Sequence, residues 1–110
     1  DGEPLYKHVV RTASSWNDHE NIGFVVGATH PSELEEIRSM CGDIPLLIPG
    51  LGAQGGDVEL SVRAGCTPAG TRAVFNSSRG IIYAGGDEHF ADEARKAAEA
   101  LRDQINAYRS

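Results

Sequence analysis

The 110 residues hold no apolar run long enough to cross a bilayer, and no signal-peptide pattern opens them, so neither a membrane partner nor secretion is expected. Cysteine is scarce: Cys41 and Cys66 have no CxxC partner, and buried cytosolic thiols are the expected state. Four histidines (His8, His19, His30, His89) are scattered without ligand-like spacing, so no metal is expected. Lysine is confined to Lys7 and Lys96, both on expected helices. A net charge of −6 argues against non-specific nucleic-acid binding but does not exclude a local cationic pocket. Ser77 and Ser78 lack an elbow motif, which leaves no serine hydrolase. Met40 is the only methionine, and a chain opening on Asp1-Gly2-Glu3-Pro4 is expected to be the processed or excised part of something longer.

Glycine, by contrast, is plentiful, with 13 residues clustered in loops. The most informative cluster follows the apolar run Leu46-Leu47-Ile48: Pro49-Gly50-Leu51-Gly52-Ala53-Gln54-Gly55-Gly56-Asp57. Backbone N–H groups approach an anion closely where Cβ atoms are absent, and Gln54 adds an amide donor. Phosphate is the natural occupant. Gly50, Gly52 and Gly55 also spell G-x-G-x-x-G, but a dinucleotide site wants an acid at the end of the next strand, which here ends at Asn76.

Helical spacing of Leu5, Tyr6, Val9, Val10, Ala13 and Trp16 predicts a helix from Pro4 to about residue 16. Ile22–Val26 reads as a strand buried on both faces. Pro31 opens a second helix with Leu34, Ile37 and Cys41 inward and Glu33, Glu35, Glu36 and Arg38 outward, ended by Gly42-Asp43. A strand over 44–48, a helix capped by Asp57 and running to Gly65, and a strand over 72–76 follow. Ile81–Ala84 predicts a short helical turn, and Phe90, Ala94, Ala97, Leu101, Ile105 and Tyr108 form the stripe of a last helix. Strands recurring about every 25 residues with helices between them mark a parallel sheet. Three strands alone would leave that sheet poorly covered. The fit is α/β: the last three βα units of a (β/α)8 TIM barrel, preceded by the helix of the unit before, with residues 1–110 as the C-terminal part of one barrel domain.

Ser77-Ser78-Arg79-Gly80 closes the third strand. A guanidinium between an apolar strand and an apolar turn calls for an anion. In such barrels the loops after strands seven and eight commonly build a phosphate site, and Gln54 and Arg79 fall on those two loops.

Together, Val25-Val26-Gly27-Ala28-Thr29-His30-Pro31, the Pro49–Asp57 loop and Asn76-Ser77-Ser78-Arg79-Gly80-Ile81 resemble the orotidine 5′-phosphate decarboxylase family, closest to its bacterial and archaeal subgroup with the Asn-Ser-Ser-Arg-Gly turn. The resemblance implies a cytoplasmic, dimeric barrel that decarboxylates orotidine 5′-monophosphate to uridine 5′-monophosphate in pyrimidine synthesis, without cofactor or metal. It assigns the nucleotide phosphate to Gln54, Gly55, Ser78 and Arg79. Val25, Thr29, Pro49 and Gly50 take the base pocket and the support of the phosphate loop.

The same resemblance exposes a gap. The family's chemistry rests on an array of Lys and Asp that includes an Asp-x-Lys-x-x-Asp strand motif, and no Asp-x-Lys occurs in this chain. No catalytic residue is therefore assigned, and the chain alone is expected to be inactive. The alternative is a non-enzymatic phosphate-binding or assembly module that completes a barrel with another chain.

Overall fold

The structure, a computed structural model, describes residues 2–52 and 56–109. Helix and strand alternate as α1 (Leu5–Ser14), β1 (Phe24–Val25), α2 (Pro31–Cys41), β2 (Leu46–Ile48), α3 (Val58–Gly65), β3 (Ala73–Phe75), α4 (Arg79–Ile82) and α5 (Phe90–Tyr108). The strands pair in parallel in the order β1-β2-β3. Phe24, Leu46 and Ala73 lie in register, as do Val25, Leu47 and Val74. Parallel neighbours need a crossover, and α2 and α3 supply the two. Local residues set the ends of these helices. Pro31 stands at the start of α2, and Gly42, at φ +59°, follows its last residue. Asp57 caps α3 by accepting the Leu60 N–H at 2.8 Å.

Two expectations are corrected. The first strand is shorter than Ile22–Val26, and it is not buried on both faces. Side chains alternate along a strand, and the helices cover only one side of the sheet. Leu46 and Ile48 face those helices and are fully buried, whereas Val25, Leu47 and Val74 on the opposite side are 71%, 39% and 60% exposed. Strands that are apolar at every position conceal which face is covered. The chain is correspondingly extended, with a radius of gyration of 15.6 Å against the roughly 13 Å usual for its length.

The core joins Leu34, Ile37 and Cys41 of α2 to Leu46 and Ile48 of β2, with Val10, Ala28, Ile44 and Leu51 around them. Helix α3 lies so close to β2 that a Cβ on Gly65 would stand 2.4 Å from Ile48 Cδ1. Arg38 is the second correction, being 8% exposed rather than outward. Its Nε donates to Gly65 O at 2.7 Å, its Nη1 to Gly42 O and Ile44 O at 2.8 Å each, and its Nη2 to Arg72 O at 2.8 Å. One side chain thus joins the C-terminal ends of α2 and α3 to the starts of β2 and β3, where carbonyls concentrate and helix dipoles favour a cation.

At the other end of the chain, α4 begins at Arg79, two residues before the expected turn. The α5 stripe of Ala94, Ala97, Leu101, Ile105 and Tyr108 is only half-buried, and Phe90 is exposed. The Arg63 guanidinium over the Tyr108 ring, 5.5 Å from its centroid, ties α3 to α5.

Candidate functional site

All three strands end on the same rim, the C-terminal rim where ligands of parallel α/β folds bind. The loops leaving β1 and β2 are knit together: Ala28 N donates to Pro49 O at 2.8 Å, and Ser61 Oγ to Ala28 O at 3.3 Å. The loop after β2 has a closed neck, with Gly56 N donating to Gly50 O and Gly52 N to Gly56 O, both at 3.0 Å. Gly50 and Gly52 adopt φ of +97° and +65°, a region side chains disfavour. At Gly56 a Cβ would meet Gly50 O at 2.4 Å and Ala28 Cβ at 3.0 Å. Glycine is therefore needed at the neck for two separate reasons: backbone conformation and space. Gln54 and Gly55, the phosphate ligands expected on this loop, lie outside the described residues.

Ile48 and Phe75 are register partners, so the loops after β2 and β3 leave the sheet side by side. Ser78 and Arg79 stand at that second exit, both exposed. The Ser78 carbonyl accepts from Ile82 N at 2.8 Å and starts α4. Six other arginines are engaged: Arg11 by Glu3, Arg63 by Glu59, Arg95 by Glu99, Arg102 by Asp103, Arg38 by main-chain carbonyls and Arg109 by the Gly70 carbonyl, whereas the exposed side chain of Arg72, just before β3 at the opposite end of the sheet, has no such partner among the described residues. Among the described residues, nothing forms a hydrogen bond or ion pair with the Arg79 side chain, which leaves a permanent charge open at the rim.

Of the expected pocket residues, Val25 lies on the open face, Thr29 is exposed, Pro49 is half-buried and Gly50 is buried. Leu47 and Val74 share the Val25 row and were not anticipated. The sequence signal for them is their central position in the two runs that pair with β1. Both lysines sit on helices and are paired: Lys7 with Glu36 at 2.6 Å and Lys96 with Glu93 at 3.5 Å. Burial pushes the Cys41 and Cys66 thiols up, which keeps them protonated near neutral pH and makes them poor nucleophiles. Cys66 is half-buried rather than buried. Among the described residues no His, Cys, Asp or Glu cluster could hold a metal ion, and no helix is long and apolar enough to cross a membrane.

Three parallel βα units with helices on one face, an open apolar face and a glycine-and-arginine rim define part of a (β/α)8 barrel. No family model matches the sequence. Over 109 residues it is 56% identical to the orotidine 5′-phosphate decarboxylase of Dechloromonas aromatica, covering 98% of this chain and 40% of that protein. It is 54% identical over 110 residues to the enzyme of the same name from Ralstonia nicotianae, covering 99% and 41%. Among solved structures, Leishmania donovani OMP decarboxylase superposes with a TM-score of 0.85 at 34% identity, covering 99% of this chain and 40% of that one. Leishmania donovani UMP synthase gives 0.81 at 37% identity, covering 99% and 23%. The chain is a homologue of the orotidine 5′-phosphate decarboxylases, and it spans about two fifths of the length of the curated relatives it matches.

Proposed function

We propose that residues 1–110 serve as the C-terminal part of one decarboxylase barrel domain, in which they hold the phosphate of orotidine 5′-monophosphate while it is converted to uridine 5′-monophosphate. The observation that carries this reading is Arg79, without a side-chain partner among the described residues, at the strand end next to that of the glycine neck. In this assignment Arg79 meets the phosphate charge, Ser78 adds a hydroxyl, and Gln54 and Gly55 approach from the neighbouring loop. Gly50 and Pro49 set that loop's exit, Thr29 supports it from the first rim loop, and Val25 faces the base. A grip on the phosphate, remote from the bond that breaks, supplies binding energy usable at the reacting carbon.

Loss of CO2 leaves an electron pair on carbon, which needs a nearby cation and then a proton. Lys7 and Lys96 are held by Glu36 and Glu93 on helices, so this reading draws both groups from outside the chain. The active form is a cytoplasmic homodimer that uses neither metal nor cofactor. In the full barrel, Arg79→Ala is expected to lower kcat/KM by about 30- to 5,000-fold, the equivalent of roughly 2–5 kcal/mol for a lost charge-assisted contact. Unchanged kcat/KM would remove Arg79 from the phosphate site. The purified chain alone is expected to give no turnover, and measurable decarboxylation by it would overturn the division of labour.

A further inference from the structure

Two residues other than glycine hold a left-handed backbone among the described residues, Glu20 at φ +53° and Arg72 at φ +67°, and both line the same hollow of about 540 Å³. It lies at the N-terminal end of the sheet, opposite the rim described above. Its walls come from the end of α1 and the loop after it, the turn before β2 and the residue before β3. Glycine takes a left-handed conformation without strain, whereas glutamate and arginine do not. Both backbones are nonetheless locked. Glu20 N donates to Asn17 O at 3.0 Å, and Asn17 Oδ1 accepts from Ile22 N at 2.9 Å. Arg72 O accepts from Leu46 N at 2.9 Å and from Arg38 Nη2 at 2.8 Å. Strain held in this way, where glycine would fit better, points to a use for the side chains themselves.

Asp43 borders the hollow as well, so two carboxylates and one guanidinium share its walls. None of these three side chains makes a hydrogen bond or ion pair among the described residues, although charges of both signs face one space. Ser14 Oγ, in the same wall, is the one buried side-chain polar atom without a hydrogen-bond partner among the described residues. A buried hydroxyl in that state lacks a partner that an occupant of the hollow can supply. We propose that the hollow binds a small zwitterion, an α-amino acid whose ammonium meets Glu20 and Asp43 and whose carboxylate meets Arg72 and the Ser14 hydroxyl. A simple anion would face two carboxylates. A simple cation would leave the guanidinium unmatched and the hydroxyl without an acceptor. A molecule carrying both charges satisfies all four groups, and the volume admits a side chain the size of glutamine's.

The test titrates the isotope-labelled chain with L-glutamine and follows its backbone amides by NMR. Saturable shifts are expected at residues 14–20, 43 and 72, and not at the opposite rim. N-acetyl-L-glutamine, which lacks the ammonium, and L-glutaminamide, which lacks the carboxylate, are each expected to bind more than about tenfold more weakly. Glu20→Gly and Arg72→Gly are expected to weaken L-glutamine binding by the same factor while the urea midpoint stays level or rises, because glycine relieves the backbone. Arg95→Ala, on the exposed side of α5, is expected to leave binding unchanged. The absence of saturable shifts, binding of either blocked analogue as tight as that of L-glutamine, or glycine variants that bind normally would each overturn the proposal. So would a loss of binding that only accompanies a fall in the urea midpoint, since unfolding would then account for it.

Discussion

The two ends of the sheet each carry an arginine, and they use it in opposite ways. At the N-terminal end Arg38 is enclosed, its guanidinium engaged by four backbone carbonyls from Gly42, Ile44, Gly65 and Arg72. At the C-terminal end Arg79 is exposed, with none of its donors engaged among the described residues. A saturated cation fixes structure, whereas an unsaturated one is available to a ligand. The loops do not divide in the same way: Gly56 at the Arg79 end stands against the Gly50 carbonyl, and Gly70 at the Arg38 end stands as closely against the Arg109 carbonyl. In the proposed function the Arg38 end serves stability and the Arg79 end serves binding, the division usual for parallel barrels.

That contrast is most severely tested by Arg38→Met. It leaves several buried carbonyls without a donor, and a loss of at least about 3 kcal/mol in urea unfolding is expected. Arg38→Lys, with fewer donors and no planar fork, should recover only part of it. A change below about 1 kcal/mol would show that the carbonyls find water and that the clamp is not a clamp. Next in size is Gly56→Ala, whose methyl would run into the Gly50 carbonyl; about 1–3 kcal/mol is expected, together with a loss of phosphate affinity in the full barrel. Asp57→Ala removes the α3 cap and should cost about 1 kcal/mol. Arg79→Ala should change stability by less than about 0.5 kcal/mol while lowering kcat/KM, and a large stability loss would erase the distinction between the two ends.

The smallest effect expected is a pH dependence in how α1 is held. The hydrogen bond between Lys7 and Glu36 holds the Glu36 carboxyl below its usual 4.5 and raises the Lys7 ammonium above its usual 10.5. The Glu36 contribution is present above its unfolded value and fades as pH falls through the lowered one. The Lys7 contribution is present below its unfolded value and fades as pH rises through the raised one. Melting curves should therefore match those of Lys7→Met at both pH extremes and differ modestly between them.

Much of the site could be read from the residues alone. The glycine neck could, because Gly50 and Gly52 answer a local demand on φ that other residues meet badly. The alternation of strand and helix could too, and Pro31, Gly42 and Asp57 marked helix ends through their own covalent chemistry. Arg38 was readable in principle, since it continues the Leu34, Ile37, Cys41 stripe, but an arginine among glutamates invites an outward placement. The open face was not readable. Ile22–Val26 and Ile44–Ile48 are apolar nearly throughout, and nothing in such runs says which side the helices will take.

By itself, then, the sequence determined the order of the elements and where the chain turns. Those features depend on each residue and its neighbours along the chain. The tertiary structure alone decided which arginine is enclosed and which stays open, and that Val25, Leu47 and Val74 form one uncovered row. Burial is set by groups distant in sequence. Two of the carbonyls on Arg38 lie 27 and 34 residues away, and no local pattern foretells their arrival.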